Sequence, residues 1–283
     1  MIMRDATWTM IQGNPVAMRL WRAYRRLPGT LRIPLRWAAF PTWEIASALV
    51  KKKAGDRIMA GPFKGMIIRL SSASSRDHLA YLLGTQELEL FPTIKAIVAG
   101  NRDSVINIGA ADGYYAVGFA WAMPETRVIA FEALAEHHER FWQTAEANNV
   151  ADRVALHGFC TPADLRETLS SAGPQPLVLC DIEGGELTLL DNRNIPELDR
   201  AEILVETHDD MAPGCSNTLC ERFARTHTIT SILAQPRRLA DFPSWHLPFV
   251  AKWMPRTALE LMNERRTSVQ EWLHLVPISS KTD

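Results

Sequence analysis

Val105-Ile106-Asn107-Ile108-Gly109-Ala110-Ala111-Asp112-Gly113-Tyr114-Tyr115 runs from an apolar segment through two glycines into a second apolar segment. The first part reads as a strand, Ser104–Ile108, and the last opens a helix, Gly113–Ala122. Gly109 permits a tight turn at the strand end, and Gly113 lets the backbone come close to a ligand. A glycine turn between strand and helix sets backbone N–H groups beside a bound anion or carboxylate. The spacing is not G-x-G-x-x-G, which turns the reading away from a nicotinamide dinucleotide.

The pattern continues outward from this turn. Arg127–Phe131, Arg153–His157, Leu177–Asp181 and Ala201–Thr207 are further aliphatic or β-branched runs, with a helix over Ala135–Asn148 and a late strand near Glu271–Val276. Runs of this kind suit parallel strands buried on both faces. Their alternation with helices predicts an α/β, Rossmann-like, doubly wound sheet, in which ligands bind beyond the carboxyl ends of the strands. Upstream, helices are expected over residues 14–26 and from Pro41 or Thr42 to Lys53, and a short hairpin over residues 57–70. Residues 76–99 read as helical with breaks at Gly84 and Pro92. The expected organisation is a basic helical and hairpin extension, residues 1–75, followed by the catalytic domain, residues 76–283.

The strand ends carry the chemistry. Glu132 follows the second strand, 19 residues beyond Gly113. A carboxylate there is placed to accept both hydroxyls of a ribose. After the fourth strand comes Asp181-Ile182-Glu183-Gly184-Gly185-Glu186, three carboxylates whose repulsion a cation, a proton or hydrogen-bond donors must offset. After the fifth come Glu206 and His208. His208 suits a general base, a metal ligand beside Asp181 or Glu206, or a hydrogen-bonded loop residue.

These segments, Asn107 to Tyr115, Phe131-Glu132, Cys180 to Glu186 and Val205-Glu206-Thr207-His208, resemble the FkbM-type methyltransferases over about residues 80–210. The resemblance implies a class I fold that binds S-adenosylmethionine and methylates an oxygen of a sugar, glycan or small metabolite. It implies that Asn107, Gly109, Ala110, Asp112 and Gly113 border the amino-acid half of the cofactor. Glu132 would hold the ribose and Asp181 would lie beside the methyl-transfer centre. Many class I methyltransferases carry an acidic residue where Asn107 stands. Asp181 or His208 is then the expected base, with Glu183 and Glu206 as orienters. A divalent cation is the other way to activate the acceptor, although no metal ligand set is assigned.

Bulk properties narrow the partners. The chain has 283 residues, 47% hydrophobic and 22% charged, as in a globular protein. Its net charge of −1 and the lack of an Asn-Pro-Pro-Tyr type element argue against nucleic acid. Residues 1–66 hold twelve lysines and arginines against Asp5, Glu44 and Asp56, a formal +9 that leaves −10 on the remainder. Such an extension suits peripheral contact with an anionic membrane. No apolar run is long enough to span a bilayer, and the four cysteines lack zinc-site spacing, so a cytoplasmic protein is expected. Trp245, Trp253, Trp272 and the Asn263-Glu264-Arg265-Arg266 segment are candidates for acceptor contacts. The competing readings are a nicotinamide dehydrogenase and a catalytically silent adaptor with a basic N-terminus.

Overall fold

A computed structural model describes residues 15–28, 30, 31, 34, 41–70, 78–100, 102–264, 266 and 269–278. Asn14, Arg4, Asp5, Arg32, Arg36 and Arg265 lie outside the described residues. In chain order the elements are α1 (Pro15–Arg26), α2 (Pro41–Ala54), α3 (His78–Leu83), α4 (Phe91–Ala99), β1 (Ser104–Ile108), α5 (Tyr114–Ala122), β2 (Arg127–Phe131), α6 (Ala135–Ala147), β3 (Val154–His157), α7 (Pro162–Ser171), β4 (Pro176–Cys180), α8 (Glu186–Leu189), β5 (Glu202–Thr207), α9 (Cys215–Phe223), β6 (His227–Leu233), α10 (Pro248–Trp253), α11 (Pro255–Leu261) and β7 (Glu271–Pro277).

The strands form one sheet in the order β3-β2-β1-β4-β5-β7-β6, with β7 antiparallel to both β5 and β6. The other pairings are parallel. A dinucleotide-binding sheet has the order 3-2-1-4-5-6. Here an antiparallel strand stands between the fifth and sixth, which counts against the dehydrogenase reading. Every residue of β1, β4 and β5 is buried, because helices cover both faces. Val105, Leu179 and Leu204 meet α2, α3, α5, α6 and α11 on one face. Ile106, Val178 and Ile203 meet α7, α8 and α9 on the other. The chain reverses its winding between β1 and β4, so the ligand crevice of a doubly wound sheet falls at these two strand ends. No described helix is long and apolar enough to cross a membrane.

Two upstream readings change and a third holds. Residues 57–70 form a turn with one antiparallel bridge, Arg57 to Ile67, not a two-stranded hairpin. The outer edge of this segment is used elsewhere. Asn148 exchanges two hydrogen bonds with the Ile67 backbone, at 2.8 and 2.7 Å, and Thr144 accepts from the Arg69 N–H. Pro92 sits in the first turn of α4 and so starts a helix instead of breaking one. Gly84 does end α3, with φ +69, and a Cβ there would lie 2.1 Å from the Ala60 carbonyl oxygen.

Candidate active site

At the end of β1, Gly109 has φ +83. A Cβ built on it would lie 1.7 Å from the Asp181 carbonyl oxygen, so only glycine lets the ends of β1 and β4 meet. The Asp181 N–H extends this pairing by donating to the Ile108 carbonyl at 3.0 Å. Gly109 and Ala110 both donate to the Phe131 carbonyl, at 2.9 and 3.0 Å, which ties the turn to β2. Gly113 caps α5 at φ +93.

Glu132 is buried, and its two oxygens accept from the Ala111 N–H at 2.8 Å and the Leu134 N–H at 2.7 Å. The carboxylate is thereby fixed at the mouth of the turn, with a further lone pair on each oxygen. Asp112 holds His137 Nδ1 at 2.8 Å, joining the turn to α6. The side chains of Leu134 and Phe159 are 56% and 74% exposed. They follow the paired ends of β2 and β3, where Phe131 is in register with His157. The sequence reading overlooked both, although an apolar residue in a post-strand loop is itself a signal.

Asn107 has no exposed surface, and among the described residues neither atom of its amide has a hydrogen-bond partner. It shares the face of Val105 and Leu179 by strand alternation. A buried orphan amide costs about 1–3 kcal/mol, a cost expected where a ligand completes the site.

Beyond β4 the three carboxylates separate. Glu183 and Gly184 both take left-handed backbone angles, φ 56 and 103. This turn sends the Glu183 side chain outward, 70% exposed, and brings Glu186 fully inside. Glu186 Oε1 accepts from His208 Nδ1 at 2.8 Å and from the N–H groups of Gly184 at 3.2 Å and Ile182 at 3.3 Å. Burial pushes the Glu186 carboxyl up, but the His208 bond and backbone donors outweigh it, so its pKa falls below the usual range. His208 is 4% exposed, and its Nε2 faces Asp181 at 3.6 Å and Glu183 at 3.5 Å. Burial lowers the His208 pKa, and the Glu186 bond with the charges of Asp181, Glu186 and Glu183 more than reverses that, so it is raised. Glu186, not Glu183 or Glu206, therefore orients this imidazole.

Glu206 also stands beside Asp181, with ligand atoms of the two within 4.8 Å of each other. Burial raises both carboxyls; the Asp181 charge adds to this at Glu206, and at Asp181 the charges of Glu183 and Glu186 add to it against the pull of His208. Arg266 reaches Glu206 at 3.2 Å, Glu87 at 2.7 Å and Glu264 at 2.7 Å. Glu87 also accepts from the Tyr115 hydroxyl, and burial lifts its pKa to about 7 despite Arg266. Ligand atoms of Asp181, Glu206 and His208 lie within 4.8 Å of one another, so these three could hold a cation. Of four non-glycine residues with left-handed backbone among those described, Glu87, Ala111 and Glu183 belong to this region. Such strain collects at functional sites.

No family model and no curated protein matches this sequence. Several solved structures bear a distant likeness to it. The O-methyltransferase TomG from Streptomyces achromogenes, in complex with SAM, is 16% identical with TM-score 0.42, over 74% of this chain and 92% of that one. An rRNA methylase from Streptococcus thermophilus is 11% identical with TM-score 0.43, over 66% and 96%. The C-terminal domain of precorrin-6Y C5,15-methyltransferase from Rhodobacter capsulatus is 16% identical with TM-score 0.41, over 68% and 86%.

Proposed function

We propose that the chain binds S-adenosylmethionine at the β1, β2 and β4 ends and methylates a hydroxyl of a small-molecule or carbohydrate acceptor, as the FkbM-type resemblance implies. The observation that carries this reading is His208, whose Nδ1 is committed to Glu186 at 2.8 Å while Nε2 faces Asp181. This assembly stands at the same sheet edge as the glycine turn.

The residues present fit the cofactor. Asn107 offers an unpartnered buried amide, both donor and acceptor, to an amino-acid moiety. Glu132 is preorganised by two backbone donors to accept a vicinal diol. Leu134 and Phe159 offer apolar surface to a purine. When bound, the cofactor supplies an electrophilic methyl group on a cationic sulfur.

The protein's part is to align the acceptor and take its proton. Alignment can contribute on the order of 7–11 kcal/mol. Asn107 and Glu132 would hold the cofactor, which would supply its methyl group to the acceptor oxygen. The hydroxyl proton goes to His208 Nε2. Glu186 keeps the other ring nitrogen protonated and stabilises the imidazolium, as the buried carboxylate does in a Ser-His-Asp triad. A placed base of this kind adds about 10²–10⁴-fold. Activation by a divalent cation is a second reading, favoured by the convergence of Asp181, Glu206 and His208. Against it, Glu206 is already engaged by Arg266.

Calorimetric titration with S-adenosylmethionine and, separately, NAD, each with and without Mg²⁺, tests the proposal. Saturable binding of S-adenosylmethionine alone supports it. Binding of NAD, or of neither, would return the dehydrogenase or adaptor reading.

A further inference from the structure

Between β6 and β7 the chain makes a long excursion, residues 234–270. It leaves the sheet at the edge that carries the candidate site, since both Leu233 of β6 and Thr207 of β5 are in register with Glu271. Its stems are fastened by Arg237 to Glu89 at 2.7 Å and by Arg266 to Glu87. Its inner side is part of the main core through Phe242, Leu247, Val250, Ala258, Leu261 and Met262. From Phe242 to Met262 the excursion is thus packed against the molecule.

Its outer surface is aromatic. Trp245 is 67%, Phe249 40% and Trp253 73% exposed. They recur every four residues. Within α10 the exposed residues are Pro248, Phe249, Lys252 and Trp253, one face of the helix. Lys252 Nζ lies over the Trp253 ring, 5.2 Å from its centroid. Single exposed apolar residues are ordinary, but a stripe of three aromatics calls for something to cover it.

The chemistry around the stripe selects the cover. From Phe242 to Leu259 the only lysine, arginine or acidic residues are Lys252 and Arg256, both cationic and both exposed. The segment contains no Asp, Glu, Asn or Gln. A sugar stacked on tryptophan needs such groups around its hydroxyls. A bilayer surface needs aromatic rings at headgroup depth and cations against lipid phosphates. α11 packs on α2, which ends in exposed Lys51, Lys52 and Lys53, and α1 exposes Arg19, Arg22 and Arg26. We infer that the outer face of the 234–270 excursion, with Trp245, Phe249 and Trp253 as anchors and Lys252 and Arg256 as phosphate contacts, docks on an anionic membrane surface.

Flotation of the full chain with vesicles tests this, using phosphatidylcholine alone and phosphatidylcholine with one-third phosphatidylglycerol. The chain should float with the anionic vesicles and do so less at high salt. Trp245→Ser with Trp253→Ser should weaken partitioning by about tenfold or more, since the rings supply buried apolar area. Lys252→Gln with Arg256→Gln should remove the preference for phosphatidylglycerol. Independently of any variant, lipids brominated near the headgroup should quench part of the tryptophan fluorescence of the unaltered chain. A chain that does not float overturns the inference. So does flotation untouched by the tryptophan substitutions, which would assign the contact to the basic face of α1 and α2.

Discussion

Replacing Gly109 by alanine should be far more damaging than the same change at Gly214, and the difference measures how tightly the candidate site is built. The two glycines have nearly the same φ, +83 and +81. Both substitutions therefore place an L-residue in the left-handed region, at about 1–2 kcal/mol, and both recover roughly 0.4–1 kcal/mol from the stiffer unfolded chain. At Gly214 a Cβ meets nothing within 4 Å, so the net cost should lie between about 0 and 1.6 kcal/mol. At Gly109 it would stand 1.7 Å from the Asp181 carbonyl oxygen and 2.8 Å from the carbonyl carbon. The strand ends must part, which endangers the Asp181 bond to Ile108 and the two bonds from Gly109 and Ala110 to Phe131. At about 0.5–1.5 kcal/mol each, their loss adds roughly 2–4 kcal/mol. Urea denaturation monitored by fluorescence, with the slope held common, gives both values. A Gly109→Ala variant that still folds should also have lost its affinity for S-adenosylmethionine. Equal costs at the two positions would refute the close approach of β1 and β4 on which the site depends.

Three further outcomes follow from the site. Asn107→Leu replaces an unpartnered buried amide by an apolar side chain of similar size, so thermal unfolding should show an apo protein stabilised by about 1–2 kcal/mol, while calorimetry shows weaker cofactor binding. Glu132→Ala should abolish cofactor binding, whereas Asp181→Ala should remove turnover with binding largely kept; normal affinity in the first, or full activity in the second, contradicts the assigned roles. His208 must be neutral to accept a proton, and its pKa is raised by Glu186 and Asp181. The rate should therefore fall as pH drops through a value above the ordinary histidine range, and Glu186→Gln should move that acidic limb to lower pH while cutting kcat, as pH profiles of methyl transfer would report.

The parallel centre of the sheet was legible because strands buried on both faces leave unbroken aliphatic runs, as in Val105–Ile108 and Leu177–Cys180. β6 was not. As an edge strand it is mostly exposed, with His227 its one buried residue, and His227-Thr228-Ile229-Thr230-Ser231 carries too much polarity to read as a run. The turn at 57–70 was misread for a related reason. Its residues are strand-like, but the partners of its backbone are Asn148 and Thr144 of a distant helix end. The ion cluster on Arg266 joins residues up to 179 positions apart, a relation that periodicity does not encode.

The crowding of acidic groups at the end of β4 shows how much remained open. Their spacing demanded compensation without saying which group would receive it. The structure divides the task three ways. Glu186 is neutralised by His208 and backbone N–H groups and becomes the part that orients the imidazole. Asp181 and Glu206 are both shifted up by burial, with Arg266 against Glu206. Glu183 turns outward, where water screens it. What distinguishes these fates is the backbone of Glu183 and Gly184, both left-handed. An extended backbone there would send the carboxylates to different sides. Glu186 would then lose His208, and the imidazole would lose the bond that directs Nε2 toward Asp181. The chemistry thus depends on two φ angles as much as on any carboxylate, and Gly184→Ala, which leaves every charge in place, should impair turnover more than Glu183→Gln, which removes one.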